Sequence, residues 1–181
     1  LAIQARFDAI AVLEASGRTA EAARQLDEFR TRHPGHPLAA DAPRRIATFY
    51  EQTGDIRLAG TAWLEVSGSD PDSEVRRQAL YRAAELALEA ADPTAALQHF
   101  ADYAEQYPRP ADLRMEALDQ LDKLTNASGD LSQRRRWLAA KIELQRAMRS
   151  EAAPADALAR ATALAAAATL VFTATVLVMR A

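Results

Sequence analysis

Three stretches of this chain repeat the same residue pattern at the same interval. The first runs from Gly17 through Ala22, Leu26 and Phe29 to Pro34, and the second from Gly54 through Ala59, Trp63 and Val66 to Pro71. The third runs from Ala91 through Ala96, Phe100 and Tyr103 to Pro108. Within each, the steps are 5, 4, 3 and 5 residues, and the copies start 37 residues apart. A fixed period of this length marks a stack of supersecondary units, because one such unit cannot bury its apolar face alone. A fourth, degenerate copy follows Gly129 after a one-residue insertion. It places Leu138 near the large apolar position, with Arg134 and Lys141 where small and apolar residues are expected.

Each period reads as two helices. Ala22, Leu26 and Phe29 share one helical stripe, as do Ala59, Trp63 and Val66, and Ala96, Phe100 and Tyr103. Alanine in such a stripe admits a neighbouring backbone, and the large residue fills the space beyond it. Asp92-Pro93 places a capping carboxylate before a proline at the first helical position. Asp55 follows Gly54 in the same way, and Asp130 to Gln133 has capping-box spacing. The other helix of each pair is expected over about 3–16, 39–53, 74–90 and 112–126. Short links between successive helices make them antiparallel.

At these positions the chain resembles the tetratricopeptide repeat family, whose unit is typically about 34 residues. Gly17, Ala22, Leu26, Phe29 and Pro34 match its pattern, and so do Gly54, Ala59, Trp63, Val66 and Pro71. Ala96, Phe100, Tyr103 and Pro108 match with Ala91 in place of glycine. Ile46, Ala47 and Tyr50 match the family's first helix, Leu118 and Leu121 match it less completely, and Ala83, Ala84 and Ala87 form a small-residue version. The resemblance covers about residues 3–145 and implies an all-α, right-handed α-solenoid of antiparallel helix pairs. The longer unit, with its extra residues after the proline, is similar to repeats of bacterial envelope proteins. These include the lipoprotein of outer-membrane β-barrel assembly and the periplasmic partner of the Tol–Pal system. The chain departs from the lipoprotein in lacking an acylated N-terminal cysteine. This likeness implies a periplasmic or membrane-attached location in a bacterial envelope, with the cytoplasm as the alternative.

Apolar residues make up 49% of the chain and charged residues 26%, which is a globular balance. The net charge of −3 argues against a protein whose main task is holding nucleic acid. With no cysteine there is no disulfide framework, thiolate metal site or cysteine nucleophile. The chain begins with leucine and stops two residues after an apolar run, so it reads as a piece of something longer. No constellation of acids, bases or nucleophiles stands out, and no glycine-rich phosphate loop is present. No enzyme, cofactor or metal site is therefore expected. His33 and His36 bracket a Pro-Gly turn and, with Asp41, are the nearest approach to a metal set.

In the family, the first helices of successive pairs line a concave groove for a peptide or another protein. Carried over residue by residue, the groove comprises Arg44, Thr48, Glu51 and Gln52, then Tyr81, Glu85, Leu88 and Glu89, then Asp119, Lys123 and Asn126. Tyr81 is the best anchor, because an aromatic ring buries much area at small entropic cost; packing between repeats is its competing role. A basic patch of Arg134, Arg135, Arg136 and Lys141 is either a solvated helix face or a contact for an acidic partner or anionic headgroups. Ser150 to Pro154 separates the repeats, 1–149, from a C-terminal element, 150–181. Its residues Ala161 to Met179 are 19 uncharged positions, expected either to span a membrane or to form a buried helix. The leading expectation is a non-catalytic scaffold for a protein or peptide. The alternatives are a spacer or membrane-tethered arm of a larger assembly, and a regulatory module of a longer enzyme.

Overall fold

The computed structural model describes residues 2–152, which form helices joined by short turns. The helices are α1 (Ala2–Ala15), α2 (Thr19–Arg32), α3 (Ala42–Gln52), α4 (Ile56–Ser69), α5 (Ser73–Glu89), α6 (Pro93–Gln106) and α7 (Ala111–Ser128). Residues 131–152 form α8, and a single 3-10 turn, Pro37–Ala39, precedes α3. Each helix packs on the next in sequence, so the chain is an α-solenoid of antiparallel pairs. The expected apolar segment 161–179 lies outside the described residues, and among those no helix is long and apolar enough to cross a membrane.

The repeated stripe is the core. Ala22, Leu26, Phe29, Ala59, Val66, Ala96, Phe100 and Tyr103 are all buried. Ala22, Leu26 and Phe29 join Ile10, Leu13, Ile46, Ala47 and Phe49 in one cluster. Ala96, Phe100 and Tyr103 join Leu80, Ala84, Ala117, Leu118 and Leu121 in a second. Between the clusters, α4 and α5 meet through small residues. Ala59 and Ala62 on one helix, and Ala79, Ala83, Ala84 and Ala87 on the other, are buried. Small side chains allow this close approach, and Leu86 and Val66 fill what remains.

The first helix of each of the first three pairs ends in the same way. The N–H groups of Gly17, Gly54 and Ala91 donate to Glu14, Glu51 and Leu88, and those of Arg18, Asp55 and Asp92 donate to Leu13, Tyr50 and Ala87. This is the Schellman pattern, and it requires a left-handed residue at the reversal. Gly17 and Gly54 have φ of 75° and 74°, and Ala91 adopts 55°. A left-handed alanine costs about 1 kcal/mol or more. Ala91→Gly should therefore raise stability by about 1 kcal/mol, read as a higher urea midpoint at unchanged m.

The capping expectations divide. Asp92 accepts from the Ala95 N–H at 3.0 Å, with Pro93 at the first helical position. Asp130 accepts from the Ser132 and Gln133 N–H groups, both at 3.0 Å. These bonds, led by the one from Gln133, hold the Asp130 pKa below its ordinary value. Asp55, expected to cap α4, makes no side-chain capping bond. Asp72, a residue with no expected role, caps α5 by accepting from the Glu74 N–H at 2.8 Å.

The fourth copy differs from its expected register. Trp137 is buried, while Leu138 is only half-buried. α7 is one residue longer than α5, at 18 against 17, and ends on Gly129 with a 3.3 Å bond to Asn126. The inserted residue is thus absorbed in the last turn of α7. The buried stripe of α8 then begins one position sooner after the glycine than in the other copies.

Candidate binding groove

Bonds that skip one helix sort the helices of the described residues into two layers. On one side, Arg45 of α3 donates to Glu14 of α1 at 2.8 Å, and Arg82 of α5 donates to Glu51 of α3 at 2.6 Å. Tyr81 of α5 donates to Glu116 of α7 at 3.1 Å. On the other side, Arg30 of α2 donates to Glu65 of α4 at 3.0 Å, and Arg136 of α8 donates to Glu105 of α6 at 2.5 Å. The faces of α1, α3, α5 and α7 therefore adjoin, and Glu51 and Tyr81 of the expected groove take part in these bonds.

Arg82 is the centre of the α3–α5 junction. Its guanidinium donates to Glu51, to Glu85 at 3.0 Å and to Glu89 at 3.3 Å. Burial alone lowers its pKa, but the bonds to Glu51 and Glu85 outweigh that and hold it above the ordinary value. Glu51 also accepts from the Trp63 indole N–H at 3.0 Å. Trp63 is half-buried and lines a cleft with Arg44, Val75, Gln78 and Arg82. Three carboxylates share one guanidinium here, so the junction carries net negative charge.

Arg44 is one of the residues that line that cleft. It pairs with Asp41 and, at 3.2 Å, with the mostly buried carboxylate of Asp70, and it stays 43% exposed. Thr48 is exposed but bonds its own helix, donating to the Arg44 carbonyl at 3.0 Å. Gln52 is exposed. At the α5–α7 junction, the Tyr81 ring meets Phe100 and Tyr103 edge-on at 5.7 and 5.0 Å. Burial, then the bond to Glu116, pushes its hydroxyl pKa well up. Tyr81 thus packs between helices and also holds its hydroxyl at the groove face. Leu88 is half-buried against the second core cluster. Beneath Tyr81, the buried Arg77 donates to the Tyr103 hydroxyl at 2.8 Å and to Glu74 at 2.9 Å. The bonds from Arg77, then Gln78, lower the exposed Glu74 carboxyl to about 2.

The remaining expected residues lie where α7 meets α8. Asp119 pairs with Lys141, Lys123 is exposed, and Asn126 accepts from Arg134 at 2.7 Å. Arg134 also donates to Asp122 at 2.7 Å, and the Arg136 guanidinium covers the Trp137 ring at 4.5 Å. Arg134, Arg136 and Lys141 therefore act as fasteners of α8 with their charges matched, while Arg135 is exposed without an ion partner among the described residues. His33 meets the Phe29 ring tilted at 5.2 Å and His36 meets it edge-on at 5.9 Å, and the His36 Nδ1 accepts from the Leu38 N–H at 3.2 Å. Asp41 is engaged with Arg44.

Sequence reasoning missed Arg82, Trp63 and Glu116. Arg82 had a signal: it lies three and seven residues before Glu85 and Glu89, on one helical face. Trp63 read only as core filler, since its stripe position says nothing about which edge of the indole reaches the opposite layer. Glu116 had no signal.

Residues 78–109 match the tetratricopeptide repeat family. The matched segment runs from the middle of α5 to the end of the third copy. Tetratricopeptide repeats in general are scaffolds for protein–protein interaction. Among solved structures, the chain is similar to the nearly identical TPR-like repeats of a Podosopora anserina protein described as a kinesin light chain. Identity is 14% over 81% of this chain and 76% of that one, with a TM-score of 0.48. A single-substitution variant of those repeats gives 13% over 82% and 76%, with a TM-score of 0.46. Neither likeness bears on what this chain binds. Curated protein sequences show no match to it.

Proposed function

We propose that this chain is a non-catalytic scaffold that binds an extended segment or helix of another protein along the face of α3, α5 and α7. The observation that carries this reading is the junction at Arg82. The side chains of Glu51, Glu85, Glu89 and Trp63 converge there from three helices, and part of each carboxylate stays open to solvent. A groove lined by ordered polar groups over an aromatic floor suits recognition of a partner's side chains at low ordering cost. A place in the bacterial envelope belongs to the same proposal and rests on the longer repeat texture.

The test is capture of a partner from native extracts by the full chain, followed by affinity measurement with Arg44→Ala and Tyr81→Phe. Both variants keep the core, since Arg44 is on the surface and phenylalanine retains the ring packing on Phe100 and Tyr103. We expect each to weaken binding by about tenfold, which corresponds to about 1.4 kcal/mol. Undiminished affinity in both variants, with unchanged circular dichroism, would sink the groove reading.

A further inference from the structure

Large apolar side chains left exposed among the described residues include Leu131 and Ile142 of α8, at 64% and 47%. With half-buried Leu138 they stand at spacings of seven and four, which places them on one stripe of α8. That stripe is turned away from Trp137 and Leu144, which bury another side of the helix in the second core cluster. In the three preceding pairs the second helix is covered by the next first helix: α2 by α3, α4 by α5 and α6 by α7. α8 has no such cover among the described residues.

We propose that the chain's own apolar segment, residues 161–179, docks on the Leu131–Leu138–Ile142 stripe of α8 as a ninth packing element. Three features favour this occupant. The first is length: 19 residues in helical form span about 28 Å, comparable to the 17 and 18 residues of α5 and α7. The second is composition. Ala161, Ala163 and the run Ala165 to Ala168, followed by Leu170, Val171 and Phe172, combine small and large residues. α5 has the same texture in Ala79, Leu80, Ala83, Ala84, Leu86 and Ala87, and is buried against both neighbours. The third is tethering. In the sequence, eight residues, 153–160, lie between the described part of α8 and the segment. A short tether sets an effective concentration in the millimolar range that no second copy matches in dilute solution. A bilayer is the poorer fit, since the segment is at the short end of the spanning range and neither end carries Trp or Tyr.

The test uses the full chain, which has no cysteine and so accepts a single label at an introduced one. A photo-crosslinker is attached to Ile142→Cys, and separately to Leu131→Cys, at low micromolar concentration without detergent. Equal amounts of isotope-labelled and unlabelled chain are mixed, and crosslinked peptides are mapped by mass spectrometry. Leu58→Cys, exposed on α4, is the control. We expect links from positions 131 and 142 to peptides within 161–179, in unmixed isotope pairs. Their yield should exceed the control by about tenfold or more, as tethering at millimolar effective concentration implies. A yield equal to the control overturns the proposal, and co-sedimentation of the same chain with phosphatidylcholine vesicles then assigns the segment to lipid. Mixed isotope pairs overturn it as well, and assign the stripe to a second copy.

Discussion

Phe100→Ala is expected to lower the stability of the chain by about 3–5 kcal/mol. Phe100 is 1% exposed and belongs to the second core cluster, meeting Tyr81 edge-on at 5.7 Å. Truncation removes the transfer energy of the ring and leaves a cavity in the cluster that also holds Leu80, Leu118 and Leu121, where α5, α6 and α7 keep the walls apart. The loss should be regional. A stacked repeat behaves as neighbouring units coupled at their interfaces, not as one globule. Hydrogen exchange should show α5, α6 and α7 losing protection first, while Leu26, Phe29 and Phe49 keep α2 and α3 protected. Uniform loss of protection across both clusters would mean that the α4–α5 contact couples them into a single cooperative unit.

Trp137→Ala should cost about 3–5 kcal/mol, and Leu138→Ala should cost less than Trp137→Ala. The two residues are adjacent, so the difference reads the register of α8 directly. Trp137 is 4% exposed, packs in the cluster that holds Leu118 and Leu121, and carries Arg136 over its ring. Leu138 is half-buried and outside the buried core of that cluster. Urea titration of the two variants side by side is sufficient. A larger loss at Leu138 would place the stripe where the count from Gly129 puts it.

That count shows where legibility in the sequence ended. The stripe residues that repeat with fixed steps became core, apart from half-buried Trp63, wherever the turn before them was the same. Gly17, Gly54 and Ala91 close the same pair of backbone bonds, so the counts that follow from them landed on Leu26, Trp63 and Phe100. Gly129 ends a longer helix and closes a different turn, and there the count missed by one. Periodicity carries register only as far as the local hydrogen bonds that reset it are identical.

The candidate groove was legible in part for a related reason. The resemblance to tetratricopeptide repeats implied that Glu51, Tyr81, Glu85 and Glu89 share the inward face of the first helices, since the family's inward positions carry over residue by residue. What each one does there depends on the neighbouring helix. Glu51 accepts from Arg82 and Trp63, 31 and 12 residues away, and Tyr81 donates to Glu116, 35 residues away. Likewise Arg134, Arg136 and Lys141 look like a basic patch in the sequence, but Asp122, Glu105 and Asp119 meet them across helix boundaries.

From its sequence alone this chain is determined to be a series of helix pairs with small and large residues alternating along a buried stripe, since propensity, capping and 3.6-residue periodicity are local properties. Only the tertiary structure decided that Trp137 is core, that Trp63 floors a cleft, and that three carboxylates share Arg82. Those outcomes depend on which helix faces lie within hydrogen-bonding distance once the pairs stack, and that distance is set by the sizes of side chains on both partners at once.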